Sequence, residues 1–361
     1  MNGYERFMKA LKGQEPDTIP IWELIIDRPV IEGLYGEISF LDFIEKEALD
    51  GFTVFEDWTK VLRKLNVSNT YIDKWDIKWK MEPNGILYPI DGPIKNYKDL
   101  KNYTLPDADL EYWYESLKEA VKRFKGEKAI VFIAHDAFEY SHYLSRGMDK
   151  LFMNYIVAPD LVKEIAEMVW RYKSKSIKNA IEIGADAIVL GDDYAGRTGT
   201  LMSPEHFREF VLPYLKKAVD ITHKNGSYLI KHTDGNIWKI FDDIIEAGID
   251  AIDPLEPIAD MEIGRVKEKY GDRICLIGNI DCAMLLPMGT KEEVEEAVKE
   301  TIAKAAPGGG YIMASSNSIH PGVKPENYRT MIETTRRYGR YPINENLIEE
   351  YKGKNYIKKF V

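Results

Sequence analysis

Short apolar runs recur along the chain, and most of them close on a carboxylate, a histidine or an asparagine. TIPIWE ends on Glu23, GFTVFEDW reaches Glu56 and Asp57, and AIVFIAHDAFE passes through His135 and Asp136 to Glu139. AIVLGDDY carries Asp192 and Asp193, YLIKHTD carries His232 and Asp234, and IDAIDPLEP carries Asp253. ICLIGNIDC carries Asn279 and Asp281, and YIMASSNS carries Asn317. Runs of this length without regular alternation suit strands buried on both faces of a parallel sheet. Helical periodicity predicts helices over 4–11, 38–49, 108–124, 150–183, 237–247, 260–270 and 291–305, with another after Pro325. Pro159 should interrupt the long one, and Ser203 before Pro204 should open a further helix by capping a free backbone N–H. Residues 75–94 alternate around Pro83-Asn84-Gly85, a hairpin signal.

Eight buried strands alternating with helices predict a (β/α)8 TIM barrel over 1–361 as one unit, with an N-terminal extension and a β-hairpin excursion. An open dinucleotide-binding sheet would show G-x-G-x-x-G after its first strand, and this chain has none there. Composition narrows the function. The 49 basic and 59 acidic residues give a net charge of −10 with the basic residues scattered, which argues against nucleic acid or an anionic membrane as partner. No apolar run approaches a membrane span, the first twenty residues lack a signal-peptide core, and Cys275 and Cys282 form no disulfide framework. A cytoplasmic protein is expected.

In a barrel the polar strand ends converge on one mouth, so residues remote in sequence become neighbours. His232 and Asp234, two apart in an extended segment, could address one cation or one substrate group; alternatively His232 is hydrogen-bonded internally and Asp234 begins a turn. His320 offers a further ligand or sits in the turn before Pro321. Of the adjacent Asp192 and Asp193, one should face the mouth, followed by Tyr194. Trp22, Trp58, Phe138 and Tyr140 could stack on a flat substrate or fill the core, and Cys282 is either a reactive thiol or a small core residue.

The segments VFEDW, VLGDDYAGRTGTLMSPEHFREFVLPYLK, IKHTDGN, AGIDAIDPLEP, LIGNIDCAMLLPMGT and APGGGYIMASSNSIHPGVKPEN together resemble the uroporphyrinogen decarboxylase superfamily over nearly the whole chain. The resemblance implies the barrel and matches Asp57 to the catalytic aspartate of the decarboxylases. It departs from them in two places. Their arginine-rich N-terminal segment is replaced by IPIWELIIDRPV with the single Arg28, and their G-H-G motif by Ser316-Asn317-Ser318. The thiol-methylating members hold zinc through His-x-Cys and a later Cys, where this chain has His232-Thr233-Asp234 and Ser315 to Asn317. The chain resembles the remaining branch, the substrate-side methyltransferases, which include O-demethylases that pass methyl from methoxylated aromatics to cob(I)alamin on a partner.

Taken together, these readings make Asp57, His232 and Asp234 the candidate catalytic residues and His232, Asp234 and His320 the candidate ligands of zinc. The strand ends offer substrate contacts from Trp22, Glu23, His135, Glu139, Asp192, Asp193, Tyr194, Asn279, Asp281 and Asn317. The chain has no Asp-x-His-x-x-Gly cobalamin motif, so the corrinoid would arrive on a separate corrinoid protein. A small methyl donor and a second copy of the chain complete the expected partners. A thiol methyltransferase or a decarboxylase is the alternative.

Overall fold

The computed structural model describes residues 1–83, 85–355 and 358. Seven parallel strands form one curled sheet: β1 (Gly51–Val54), β2 (Ala129–Ala134), β3 (Ala187–Leu190), β4 (Tyr228–His232), β5 (Ala251–Asp253), β6 (Cys275–Ile280) and β7 (Tyr311–Ser315), adjacent in chain order. The expected first strand is not a regular strand. Residues 20–22 instead lie between the two edges. Met313 N donates to Pro20 O at 2.9 Å, Trp22 N to Met313 O at 3.1 Å, and Asp50 N to Ile21 O at 3.0 Å. Pro20 has no N–H to offer a ladder, and Ile21 N is taken by the Asp50 carboxylate at 2.9 Å, which accounts for the irregularity. The architecture is TIM-barrel-like.

Alternate strand residues enter two separate cores, as a period of two requires. Ala129, Val131, Ala187, Val189, Ile230, Ala251, Ile277, Ile312 and Ala314 form the inner core with Trp22 and with Phe7 of helix α1 (Gly3–Leu11). Ile130, Phe132, Ile188, Leu190, Leu229, Ile252 and Leu276 point outward to the helical layer. Both faces are apolar, which is why the strands read as unbroken runs.

Helix breaks follow the local chemistry. Ala158 separates Met148–Val157 from Pro159–Ile183, and Ser203 Oγ accepts from His206 N at 3.2 Å. The predicted hairpin is part of a four-stranded antiparallel sheet of Arg63–Lys64, Thr70–Ile72, Lys78–Met81 and Leu87–Asp91. Asn84 of its turn lies outside the described residues. Among the described residues, no helix is long and apolar enough to cross a membrane.

Candidate functional site

The register of the sheet pairs His232, the last residue of β4, with Asp253, the last of β5. His232 Nδ1 lies 2.5 Å from Asp253 Oδ2, so this buried carboxylate fixes the ring and leaves Nε2 facing the mouth. Nε2 is 3.5 Å from Asp234 Oδ1 and 3.9 Å from Asp193 Oδ1. Asp193 Oδ1 also accepts Asp234 N at 2.9 Å, and Asn317 Nδ2 donates to Asp234 Oδ2. Asp234 Oδ1 is buried and has no hydrogen-bond partner. Gly235 then turns the chain with φ 81°, and its N–H meets Glu256 Oε2 at 2.7 Å. A Cβ at Gly235 would come within 2.5 Å of Gly196 O, so only glycine fits.

One ligand atom from each of Asp193, His232 and Asp234 falls within 4.8 Å of the others. One imidazole nitrogen and two carboxylate oxygens suit a divalent cation, zinc included. The orphaned Asp234 oxygen and the carboxylate-oriented histidine are what such a site requires. The electrostatics agree. Burial lowers the His232 pKa, but the hydrogen bond that the ring donates to Asp253 and the charges of Asp253, Asp234 and Asp193 outweigh it and hold the ring at about 9. Burial raises Asp234, and the negative charges of Asp193, Glu256 and Asp253 add to it, to about 8.

The structure brings Asp193, His232, Asp234 and Asn317 together but sends other predicted residues elsewhere. His320 is not part of the cluster. Its Nε2 is 2.8 Å from Cys282 O and its Nδ1 accepts Gly322 N at 3.1 Å, so both nitrogens are occupied. Asp57 accepts Ser116 Oγ at 2.6 Å and Ser116 N at 2.9 Å and pairs with Lys60 at 3.0 Å, none of which belongs to the His232 cluster. Asp192 is fully buried and braces backbone, accepting Asp136 N at 2.8 Å and Glu139 N at 2.9 Å. Tyr194 is buried with its hydroxyl on Asp136. Asn279 Nδ2 donates to Leu255 O at 3.1 Å, and Asp281 accepts Met284 N and Leu285 N at 2.7 Å each, fastening the turn that leads into the short helix Leu285–Met288. Trp22 is fully buried in the inner core, as Phe138 and Tyr140 are buried in the outer one. Trp58 stays half-buried with its ring 5.2 Å from that of Trp79.

His135 lies beside Asp192, with Nδ1 3.7 Å from Asp192 Oδ2, and Glu139 pairs with His142 at 3.2 Å and accepts the Tyr143 hydroxyl. Sequence reading missed Lys231. This fully buried lysine donates to the carbonyls of Asp192 and His232 at 2.6 Å each and sits 3.9 Å from the centroid of the Tyr194 ring. A cation inside an otherwise apolar strand was its signal.

Glu23 is buried, and both of its oxygens are engaged by Ser315 N and Oγ rather than by a cation. Burial pushes its pKa from 4.5 to about 8 despite those hydrogen bonds. The sign follows from linkage: the buried neutral acid contributes fully below 4.5, the ordinary value it takes when unfolded, and that stability is lost as pH rises through about 8. Thermal unfolding should therefore move to lower temperature across this window, and Glu23→Gln should flatten the slope. A slope untouched by the substitution would refute the assignment.

Fold and site together define a TIM-barrel-like protein with a metal-capable cluster at the carboxyl ends of its strands. The chain belongs to the uroporphyrinogen decarboxylase (URO-D) family, whose model matches residues 74–338. It is similar to the uroporphyrinogen decarboxylase of Coxiella burnetii, with 25% identity over 357 residues covering 92% of this chain and 95% of the relative. The uroporphyrinogen decarboxylase of Geobacter sulfurreducens is 23% identical, with 92% and 98% covered. Among solved structures, a methyltransferase from Methanosarcina mazei shares the fold with a TM-score of 0.76 at 20% identity, covering 94% of this chain and 99% of that one.

Proposed function

We propose that the protein is a cytoplasmic methyltransferase that moves a methyl group from a methoxylated aromatic to the cob(I)alamin of a separate corrinoid protein. The observation that carries the reading is the cluster of Asp193, His232 and Asp234 with its unpartnered buried oxygen. The structural likeness to the Methanosarcina mazei methyltransferase supports it. The names of the curated relatives favour a decarboxylase instead. A polycarboxylate substrate would need cations, and Arg28 is exposed and already paired with Glu32 at 2.6 Å.

A phenyl methyl ether is a poor electrophile, so its oxygen must be protonated or polarised as the C–O bond breaks. Asp234, held as the acid up to about pH 8, can supply that proton when no cation occupies the cluster. Asn317 steadies its other oxygen, and Asp253 sets the His232 ring. Asp193, His232 and Asp234 would hold a zinc ion, which when bound supplies Lewis acidity. The test mixes the protein, cob(I)alamin on a candidate carrier and a panel of methoxylated aromatics, and follows methylcobalamin by its absorption. Product is expected with part of the panel. Silence throughout, with the carrier shown to be active separately, would overturn the reading.

A further inference from the structure

A cleft of about 760 Å³ opens beside β1, between the segment that carries Glu23 and the turn that follows Val54. Its walls are apolar, with Leu24, Leu41, Phe40, Phe55 and Trp58 bordering it. Phe40 and Phe55 keep 37% and 39% of their surface exposed beside it, so the cleft carries exposed apolar surface. A relay of contacts through the end of β7 links the cleft to the metal-capable cluster. Glu23, which lines it, accepts Ser315 Oγ at 2.6 Å, and Asn317, two residues further, donates to Asp234.

Its charge rests on Asp27 and Glu119. Glu23, Glu56 and Asp57 also border it, but Glu23 is the buried neutral acid described above and the other two are paired with lysines; among the described residues the lining contains no lysine, arginine or histidine. Lys60 and Lys74 pair with Asp57 and Glu56 at 3.0 and 2.8 Å, but neither lies in the lining. An anion entering an apolar, acid-lined cleft loses its hydration and meets like charge. A flat ring, by contrast, buries its faces against Phe55 and Trp58, while hydroxyl or ammonium donors meet carboxylates or an aromatic face.

We propose that this cleft receives the methyl donor and selects a flat ring bearing hydrogen-bond donors or a cationic substituent, while rejecting ring carboxylates. The word donor rests on the methyltransferase reading; the selection by charge stands on the cleft alone. The chemistry thus places the enzyme downstream of reactions that leave the aromatic ring without a free acid group.

Calorimetric titration of the full chain with methoxyphenol, methoxybenzylamine and methoxybenzoate tests it, because these ligands differ mainly in charge. The phenol and the amine should bind, and the benzoate should bind at least about tenfold more weakly than the phenol. Asp27→Asn combined with Glu119→Gln should narrow the gap between amine and benzoate several-fold. Leu41→Trp should fill the cleft and weaken the phenol and the amine by about tenfold or more; if that variant does not fold, Phe55→Ala at an exposed position should weaken both ligands. Benzoate binding as tightly as the phenol, no binding by any of the three, or unchanged binding by the folded cleft variants would each overturn the proposal. The expected order without methylcobalamin formation would sustain the cleft and remove the methyl-transfer reading.

Discussion

His232→Ala should lower methyl transfer by about 10²–10⁴-fold and strip the protein of bound divalent metal. His232 is the only nitrogen donor in the cluster, and Asp253 at 2.5 Å fixes its ring from behind. Removing it leaves Asp193 and Asp234 as two carboxylates with a raised tendency to hold protons and no ring to complete the site. Asp253→Asn isolates the orienting role. Asparagine can still accept from Nδ1, but the charge that favours the N–H tautomer is gone, so the loss should be about 10–100-fold in metal affinity or activity. The same charges set a pH signature. Metal must displace the proton of His232, held at about 9, and that of Asp234, held at about 8, so binding releases protons and tightens as pH rises toward those values. Metal content by elemental analysis and transfer rate across pH measure both arms. His232→Ala with full metal content and unchanged turnover would remove this residue from the chemistry.

The strand pattern was legible because both faces of each strand are buried, which produces runs that need no context to recognise. The first strand was misread for a reason that composition hides. TIPIWE is apolar enough, yet Pro20 and the Asp50 carboxylate interrupt its ladder, and the partner that interrupts it is remote in sequence. The same distance problem governs the site. His232 and Asp234 share a side because a period of two places them there, and their closeness was predictable. That Asp193 rather than Asp192 joins them was not. Asp192 turns to two backbone N–H groups of the chain after β2, and this choice depends on how β2 and β3 sit side by side. Asp281 illustrates the converse: its carboxylate holds the turn that follows it, and that local role competes with the expectation that every polar strand end serves the mouth.

Lys231→Met should destabilise the fold by about 3–5 kcal/mol, the range for removing one partner from a buried charge cluster. The substitution keeps the length and apolar stem, so it removes the ammonium with little change in packing volume. Three consequences follow inside the outer layer. The carbonyls of Asp192 and His232 each lose a donor at 2.6 Å. Asp192 loses a buried cation that, with His135, favours its ionised form, and Asp136 loses the charge that opposes its burial. Tyr194 loses the cation above its ring at 3.9 Å. Thermal unfolding should fall by on the order of 5–10 °C. Adding Asp136→Asn should recover part of that loss, because the neutral amide no longer needs the cation, and the coupling in a double-mutant cycle separates this pair from a general packing defect. Activity should fall further than stability explains. The ammonium ties the backbone of Asp192 to that of His232, and those residues immediately precede or constitute the two arms of the cluster, Asp193 and His232. A Lys231→Met protein as stable as the parent would mean that the lysine is uncharged in the native state and that the Asp136 and Asp192 carboxyls are held without it.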